Sequence, residues 1–425
     1  MSGSGPVPSA VAADITITIA DVKTDVPLGF YCDRFQWTSM VNGGYSVWVR
    51  LMDLNFKTID KIAKEHYLKK ARNEPLKIEF SLGKLDNKEQ KARTEDRIAY
   101  ITELQAYGEL NNGKLEFVAM DPPNWWLNAG KGSGKIYRGC VGGDDGVIAQ
   151  VIKEYTPQKG DDKIEVEVSE TLDNKEGIWP MMRMDPKSFI TSLIDWSASI
   201  TKSKTHWIVS STDNKIKIST QKDRAEKRKR LTAPLVISKG VKHSDVLKFE
   251  MLADNFISVL QTKISTAGIS ATTGKPIFRA VRDENTALKI KPLRDEDDDK
   301  GFKKPSKNWT THIHPVPEDS GGMVGIPYDK YIDGRARGMF LNMLNMVMRI
   351  KITTAGLLEV HDSSRLGVTW VTLEWDGAEG GYFLSGNWLV YGFEHTYTLI
   401  KSPDWQTELY LARLDCDADG IYVAE

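Results

Sequence analysis

The chain has 425 residues, a formal net charge of -1, 40% hydrophobic and 27% charged residues, which is the composition of a soluble globular protein with room for roughly two to four domains. Near-neutral charge excludes a global attraction to nucleic acid or anionic membrane, so a charged partner has to be met by a local patch. The three cysteines, Cys32, Cys140 and Cys416, are odd in number and far apart, which excludes a disulfide framework and a paired zinc site.

From the amino end, residues 1–14 are small and carry Pro6 and Pro8 without the basic segment and apolar core of a secretory signal. No run reaches the ~18 apolar residues that a membrane span needs, and a reducing cytoplasm is the expected place of synthesis. Ile15, Ile17 and Ile19 alternate with Thr16 and Thr18, the period of a half-buried strand. Phe35 and Trp37, then Val47, Val49 and Leu51, flank Asn42-Gly43-Gly44, which predicts a tight hairpin. Ile59, Ile62, Ala63 and Tyr67 fall on one helical face, with Thr58 or Asp60 near its amino end as a cap. Alternation resumes at Leu76, Ile78 and Phe80, and a further hairpin is expected across Asn111-Asn112-Gly113.

Pro122-Pro123 is expected to break this first unit, and the glycine-rich 130–146 to serve as a linker or ordered loop. A helix over 146–155, a strand over 164–168, a helix capped by Asp185 and opened by Pro186, and a hairpin over Thr212-Asp213-Asn214 make a compact α/β insert. Strands return at 246–252 and 257–265. From Ala267 to Pro327 the chain is polar and reads as an excursion with low internal order. A helix over 331–345 then leads to a strand through Met348, Ile350 and Ile352. The close holds the clearest pattern, three apolar runs over 366–375, 382–398 and 407–414, separated by turn residues. A closed or nearly closed antiparallel barrel hides such edges.

Each candidate for chemistry has a plainer reading. The loop Gly130 to Lys135 lacks the glycine and the hydroxyl that phosphate-loop spacing demands, where Ala129 and Ile136 stand. Asp415, Asp417, Asp419 and Gly420 begin a calcium-loop pattern, but the chain ends one residue short of its bidentate glutamate. The acidic run Asp295 to Asp299 has Lys300 in the glycine place and reads as solvated charge. His312 and His314 alternate without an implied third ligand. Ser81 and Lys84 have a nucleophile-like spacing without its companion motifs. The basic run Lys222 to Arg230 lacks interleaved aromatics and reads as a solvated linker. No catalytic, cofactor or metal residue is assigned, and no enzyme activity is expected.

The order of elements resembles the baseplate hub proteins of contractile phage tails and the hub portion of type VI secretion spikes. The resemblance is carried by 35–121 with its Asn42-Gly43-Gly44 turn, by Met184-Asp185-Pro186 to Ile218, and by the close. There Gly386-Asn387-Trp388-Leu389-Val390-Tyr391-Gly392-Phe393-Glu394-His395 precedes Trp405-Gln406-Thr407-Glu408-Leu409-Tyr410-Leu411-Ala412-Arg413. It implies a mainly β fold of two tail-tube-like antiparallel β-barrels with an inserted α/β domain: a first barrel over 1–125, the insert over 126–235, and a second barrel over 236–425 interrupted by the polar excursion at 267–330.

As function, the resemblance implies a virion structural protein made in the host cytoplasm, a homotrimer whose six barrels adapt a hexameric tail tube to a trimeric spike. Its partners would be its own copies, the spike, a tube ring and wedge or other hub proteins. DNA would pass the central channel without specific binding, and no membrane would be bound. Trp388, Tyr391 and Trp405 are expected at an assembly interface. The two barrels are expected to share one strand order and to be separate sheets, and alanine at Trp388 and at Tyr391 to differ in kind, one costing stability and the other assembly. The twelve tryptophans also fit a glycan-binding or glycan-cleaving protein, which would present paired carboxylates in a groove.

Overall fold

The structure is a computed structural model of the chain; it describes residues 13–20, 22–23, 27–85, 91–94, 96–109, 112–130, 134–170, 172, 176–181, 184–201, 205–209, 214–220, 232–238, 244–254, 262–270, 276–281, 290–292, 308–316, 348–376, 384–399, 403–413 and 422–424. The first repeat comprises β1 (Ala13–Ile19), β2 (Cys32–Met40), β3 (Gly44–Leu54), α1 (Phe56–Ala71), β4 (Lys77–Leu85), the short β5 (Lys91–Arg93), β6 (Arg97–Glu109) and β7 (Asn112–Met120). Between β2 and β3 the chain reverses as the sequence predicts, with Asn42 at φ 62° and Gly44 at φ 72°. α1 is capped by Asn55, whose side chain accepts the Thr58 N–H at 2.8 Å, rather than by Thr58 or Asp60. Its buried stripe is Ile59, Ile62 and His66, so Tyr67 points outward.

Pro122-Pro123 does not break the chain but opens a helix. α2 (Pro122–Ala129) starts on Asp121, whose Oδ1 accepts the Asn124 N–H at 2.8 Å, because proline suits a first turn that has no N–H partner to lose. The other oxygen, Oδ2, accepts the Tyr45 N–H at 3.0 Å and the Asn124 side-chain amide at 2.7 Å, tying the helix to the β2–β3 hairpin. Gly44 is required beside this knot, since a Cβ there would collide with both side chains. Burial pushes the Asp121 carboxyl up to about 6 against the pull of its amide donors. A raised acid pKa gives stability that is complete below the unfolded value near 4 and is lost as pH rises through 6, roughly 3 kcal/mol in all. Urea unfolding at pH 4 and pH 7 should therefore show wild type losing about that much relative to Asp121→Asn. An equal gap at both pH values would refute it.

The insert follows as β8 (Lys135–Gly139), α3 (Val147–Tyr155), β9 (Glu165–Val168), β10 (Gly177–Met181), α4 (Pro186–Thr201), β11 (Thr205–Val209) and β12 (Lys215–Thr220). β12 runs parallel to β9 and antiparallel to β11, and β8 pairs with β10. Asp185 caps α4 as expected, accepting the Ser188 N–H at 2.8 Å. Tyr100 of β6 donates to Asp162 at 2.7 Å and links the first repeat to the insert.

The second repeat is β13 (Leu235–Ser238), β14 (Val246–Asp254), then β19 (Met348–Ala355), β20 (Trp370–Asp376), β21 (Gly386–Leu399) and β22 (Pro403–Arg413), with β15 (Thr262–Ser270), β16 (Pro276–Val281), β17 (Ile290–Pro292) and β18 (Asn308–Val316) intervening and β23 (Tyr422–Ala424) at the end. Two expectations change here. β15 does not join the second repeat, and the polar excursion carries regular structure: β16, β15 and β18 form a three-stranded sheet of their own, and β17 pairs with β23. Polar composition hid strands that pair outside the main sheet. The expected helix over 331–345 lies outside the described residues.

Both repeats have one strand order. The first reads β1-β4-β6-β7-β3-β2 and the second β13-β20-β21-β22-β19-β14, so counting each repeat's strands in chain order, with β5 set aside, both read one, four, five, six, three, two. The ladders agree in sense except the first, antiparallel for β1–β4 and parallel for β13–β20. The repeats are not separate sheets, however. β2 pairs antiparallel with β21 from Arg34↔Thr398 to Met40↔Gly392, joining both into one 13-stranded sheet.

Candidate assembly surface

The junction explains how one strand serves two neighbours. Along one side β21 pairs with β22 from Leu389 to Leu399; along the other it pairs first with β20, from Gly386 to Leu389, and then with β2, from Gly392 to Thr398. The changeover falls at Tyr391, where the ladder to β22 skips one residue, a bulge that re-aims the strand. Gly392 is the position that lets β2 close in, because a Cβ there would meet the Met40 sulfur and lie 3.1 Å from the Ser39 carbonyl oxygen.

Behind the junction lies an aromatic seam. Trp37 of β2 meets Phe80 and Phe393 edge-on, each with ring centroids 5.4 Å apart, and His395 at 5.2 Å. His395 is fully buried: Nδ1 accepts from the Trp405 indole at 3.1 Å and from the Thr407 hydroxyl at 2.9 Å, and Nε2 donates to the Val360 carbonyl. Burial holds its pKa down to about 3, so the ring is neutral and fixed in one tautomer.

Of the three residues expected at an interface, two are enclosed by their own chain. Trp388 and Trp405 are each 0% exposed; Trp388 donates to the Leu384 carbonyl at 2.8 Å and carries the Arg413 guanidinium 4.0 Å above its ring. The parity that the sequence left open is therefore settled for Trp388, which faces inward. Tyr391 is half-buried on the other face, its ring 6.1 Å from Tyr410. That face is polar: Lys351 lies 3.2 Å from Glu408 and 3.5 Å from Glu250, and Thr38 donates to Glu394 at 3.1 Å.

Sequence reasoning missed an exposed apolar strand at the edge of the sheet. Among the described residues β14 ends the sheet and bonds only β19. Phe249 and Met251 stand opposite the buried Ile352 and Ile350 on the core face, yet they are 43% and 46% exposed. Leu247 and Leu252, exposed as well, sit at two bulges in the ladder. An apolar edge of this kind invites strand addition. The signal was legible in the run Val246 to Leu252, but it reads as a core strand until the sheet order places it at an edge among the described strands.

A cleft of about 440 Å³ lies between the first repeat and the insert, lined among others by His66, Lys70, Glu74, Trp125, Trp126 and Tyr155. Among the described residues its lining holds one carboxylate, Glu74, whereas glycoside hydrolysis by the usual route uses a pair. Among the described residues no group of three or more His, Cys, Asp or Glu side chains could hold a metal, and no helix is long and apolar enough to cross a membrane. The side chains of His312 and His314 on β18, the acidic runs Asp295 to Asp299 and Asp415 to Gly420, and the basic run Lys222 to Arg230 fall outside the described residues.

No protein-family model and no curated protein matches the sequence. Solved structures do. A tail protein from Neisseria meningitidis MC58 aligns over 96% of this chain and 99% of its own with a TM-score of 0.56 and 11% identity. The 43 kDa tail protein of prophage MuSo2 from Shewanella oneidensis aligns over 95% and 100%, with a TM-score of 0.53 and 10% identity. A chain of the Francisella PdpA-VgrG complex aligns over 99% of this chain and 55% of its own, at 0.53 and 10%. Over nearly its whole length, this chain shares the fold of these two tail proteins, a fold that recurs in a chain of the VgrG complex.

Proposed function

We propose that the chain is the structural hub of a contractile phage-tail baseplate, a homotrimer whose two barrels per chain form a pseudo-sixfold ring between a hexameric tail tube and a trimeric spike. The observation that carries this reading is the pair of repeats with one strand order held in a single sheet, because three such chains present six similar units around one axis. Full-length likeness of fold to two tail proteins supports it, and likeness to a chain of a VgrG complex supports the spike as partner. The division into barrel, insert and barrel at about 125 and 235, a place in the virion, and contacts with wedge or tube proteins belong to the same proposal. Its work is done by geometry, without catalysis.

Sedimentation tests it. At micromolar concentration the chain should run with the mass of three copies, alone or once its spike is supplied. Persistent monomer with the spike present would overturn the proposal.

A further inference from the structure

We infer that the free edge of β14 pairs with the second half of β6 in a neighbouring copy of this chain, repeating between subunits the ladder that β2 and β21 make within one. The number of copies in the ring rests on the hub reading; the ladder itself rests on the internal repeat.

The two repeats share two bulge positions, while the bulges at Leu252 of β14 and between Leu51 and Leu54 of β3 have no counterpart. In each, the fifth strand pairs with the fourth only at its start, Arg97 to Tyr100 of β6 and Gly386 to Leu389 of β21. A skipped residue follows at once, Thr102 in β6 and Tyr391 in β21. In each, the second strand has a bulge near its start, at Asp33 in β2 and at Leu247 in β14. Reading straight across the sheet from the residue before the fifth-strand bulge, Ile101 leads through Ala119 and Val47 to Trp37, while Val390 leads through Leu411 and Ile350 to Met251. Two residues past that bulge, Leu104 leads through Phe117 and Val49 to Phe35, and Phe393 through Leu409 and Ile352 to Phe249. Met251 and Phe249 are thus the counterparts of Trp37 and Phe35.

Only one of the two possible junctions is made within the chain. Beyond its bulge, β21 is taken up by β2, whereas β6 beyond Thr102 bonds only β7 and β14 bonds only β19 among the described residues. The consequence shows in burial. Phe35 and Trp37 are 0% and 1% exposed; Phe249 and Met251 are left 43% and 46% exposed. Carrying the β2–β21 register over sets Met251 opposite the partner's Ala106, Glu250 opposite the partner's Tyr107, Phe249 opposite the partner's Gly108 and Lys248 opposite the partner's Glu109. The two large apolar residues meet the smallest side chains of β6, and the end pair has opposite charge. Such a contact is head-to-tail and recurs from copy to copy; with three copies about one axis, as the hub reading has it, it closes a ring of alternating first and second repeats.

Directly opposed residues in an antiparallel ladder have Cα atoms about 4.5–5.5 Å apart, within reach of a disulfide. In a background of Cys140→Ser and Cys416→Ser, oxidation of the Met251→Cys, Ala106→Cys double variant should give a covalent species of three chains with residues 251 and 106 in one linked peptide; neither single variant should. Phe249→Glu, changing a side chain already exposed in the monomer, should abolish the trimer and, compared at concentrations where wild type is also monomeric, leave the melting temperature unchanged. A wild-type trimer whose double variant does not cross-link, or cross-links within one chain, overturns the ladder and leaves the hub reading standing. The ladder is overturned in the same way if Phe249→Glu still assembles, the edge then being covered by something else. Wild type that stays monomeric with its spike overturns both.

Discussion

Trp388→Ala should lower the stability of the isolated chain by about 3–5 kcal/mol, the range for truncating a buried tryptophan, while Tyr391→Ala should leave its melting temperature nearly unchanged and weaken assembly. The first effect has three sources: the lost burial, the cavity, and the removal of the ring on which Arg413 rests 4.0 Å away in a site where both residues are nearly inaccessible. The Leu384 carbonyl loses its donor as well. Tyr391 differs because its ring is half-buried on the polar face against Tyr410, where truncation leaves water rather than a void. Thermal melts and sedimentation of both variants check this. If both melt and assemble like wild type, the strand that carries them is peripheral and the account of the junction fails.

His395→Leu should cost about 3 kcal/mol or more at pH 7, because the Trp405 N–H, the Thr407 hydroxyl and the Val360 carbonyl all lose a buried partner and each such loss costs about 1–3 kcal/mol. Acid provides a sharper test. With its folded pKa pulled down to about 3 from 6.5 by burial, the neutral ring contributes stability that is complete above pH 6.5 and is lost as pH falls toward 3. The rate is about 1.4 kcal/mol per pH unit. Between pH 7 and pH 4.5 the gap in unfolding free energy between wild type and His395→Leu should narrow by roughly 2–3 kcal/mol. A constant gap would mean that the imidazole is not buried neutral. This slope runs opposite to that of Asp121, so the variants separate the two groups.

Local signals in the sequence were reliable where one residue decides the geometry. Asn42 and Gly44 demand a turn that only positive φ allows, Asp185 before Pro186 marks a helix start, and alternation through Ile15, Ile17 and Ile19 identifies a buried face. Pro122-Pro123 marked the end of the first unit's strands but not the helix that follows, because proline both ends and begins helices, and only the buried Asp121 ahead of it distinguishes the cases. Tyr67 misled because Ile59, Ile62 and His66 already complete the apolar stripe. The candidate surface was the least legible part. Phe249 and Phe35 have the same chemistry and sit at equivalent places in two repeats, but one is covered and the other is not. Which of them is covered depends on sheet order, a non-local property that periodicity does not encode.

The ladder between β2 and β21 also sets the order in which the molecule can be made. Thr38 and Glu394, hydrogen-bonded across it, are 356 residues apart in sequence. At the roughly 5–20 residues per second of synthesis, β2 emerges on the order of 20–70 s before its partner strand exists. During that interval the first repeat has every other strand it needs, yet Trp37 lacks Phe393 and His395 beside it and the outer edge of β2 is bare. Nascent chains on one messenger therefore expose the same sticky edge to each other, at high local concentration and for most of a minute. The first repeat should therefore need protection until β21 arrives to cover β2.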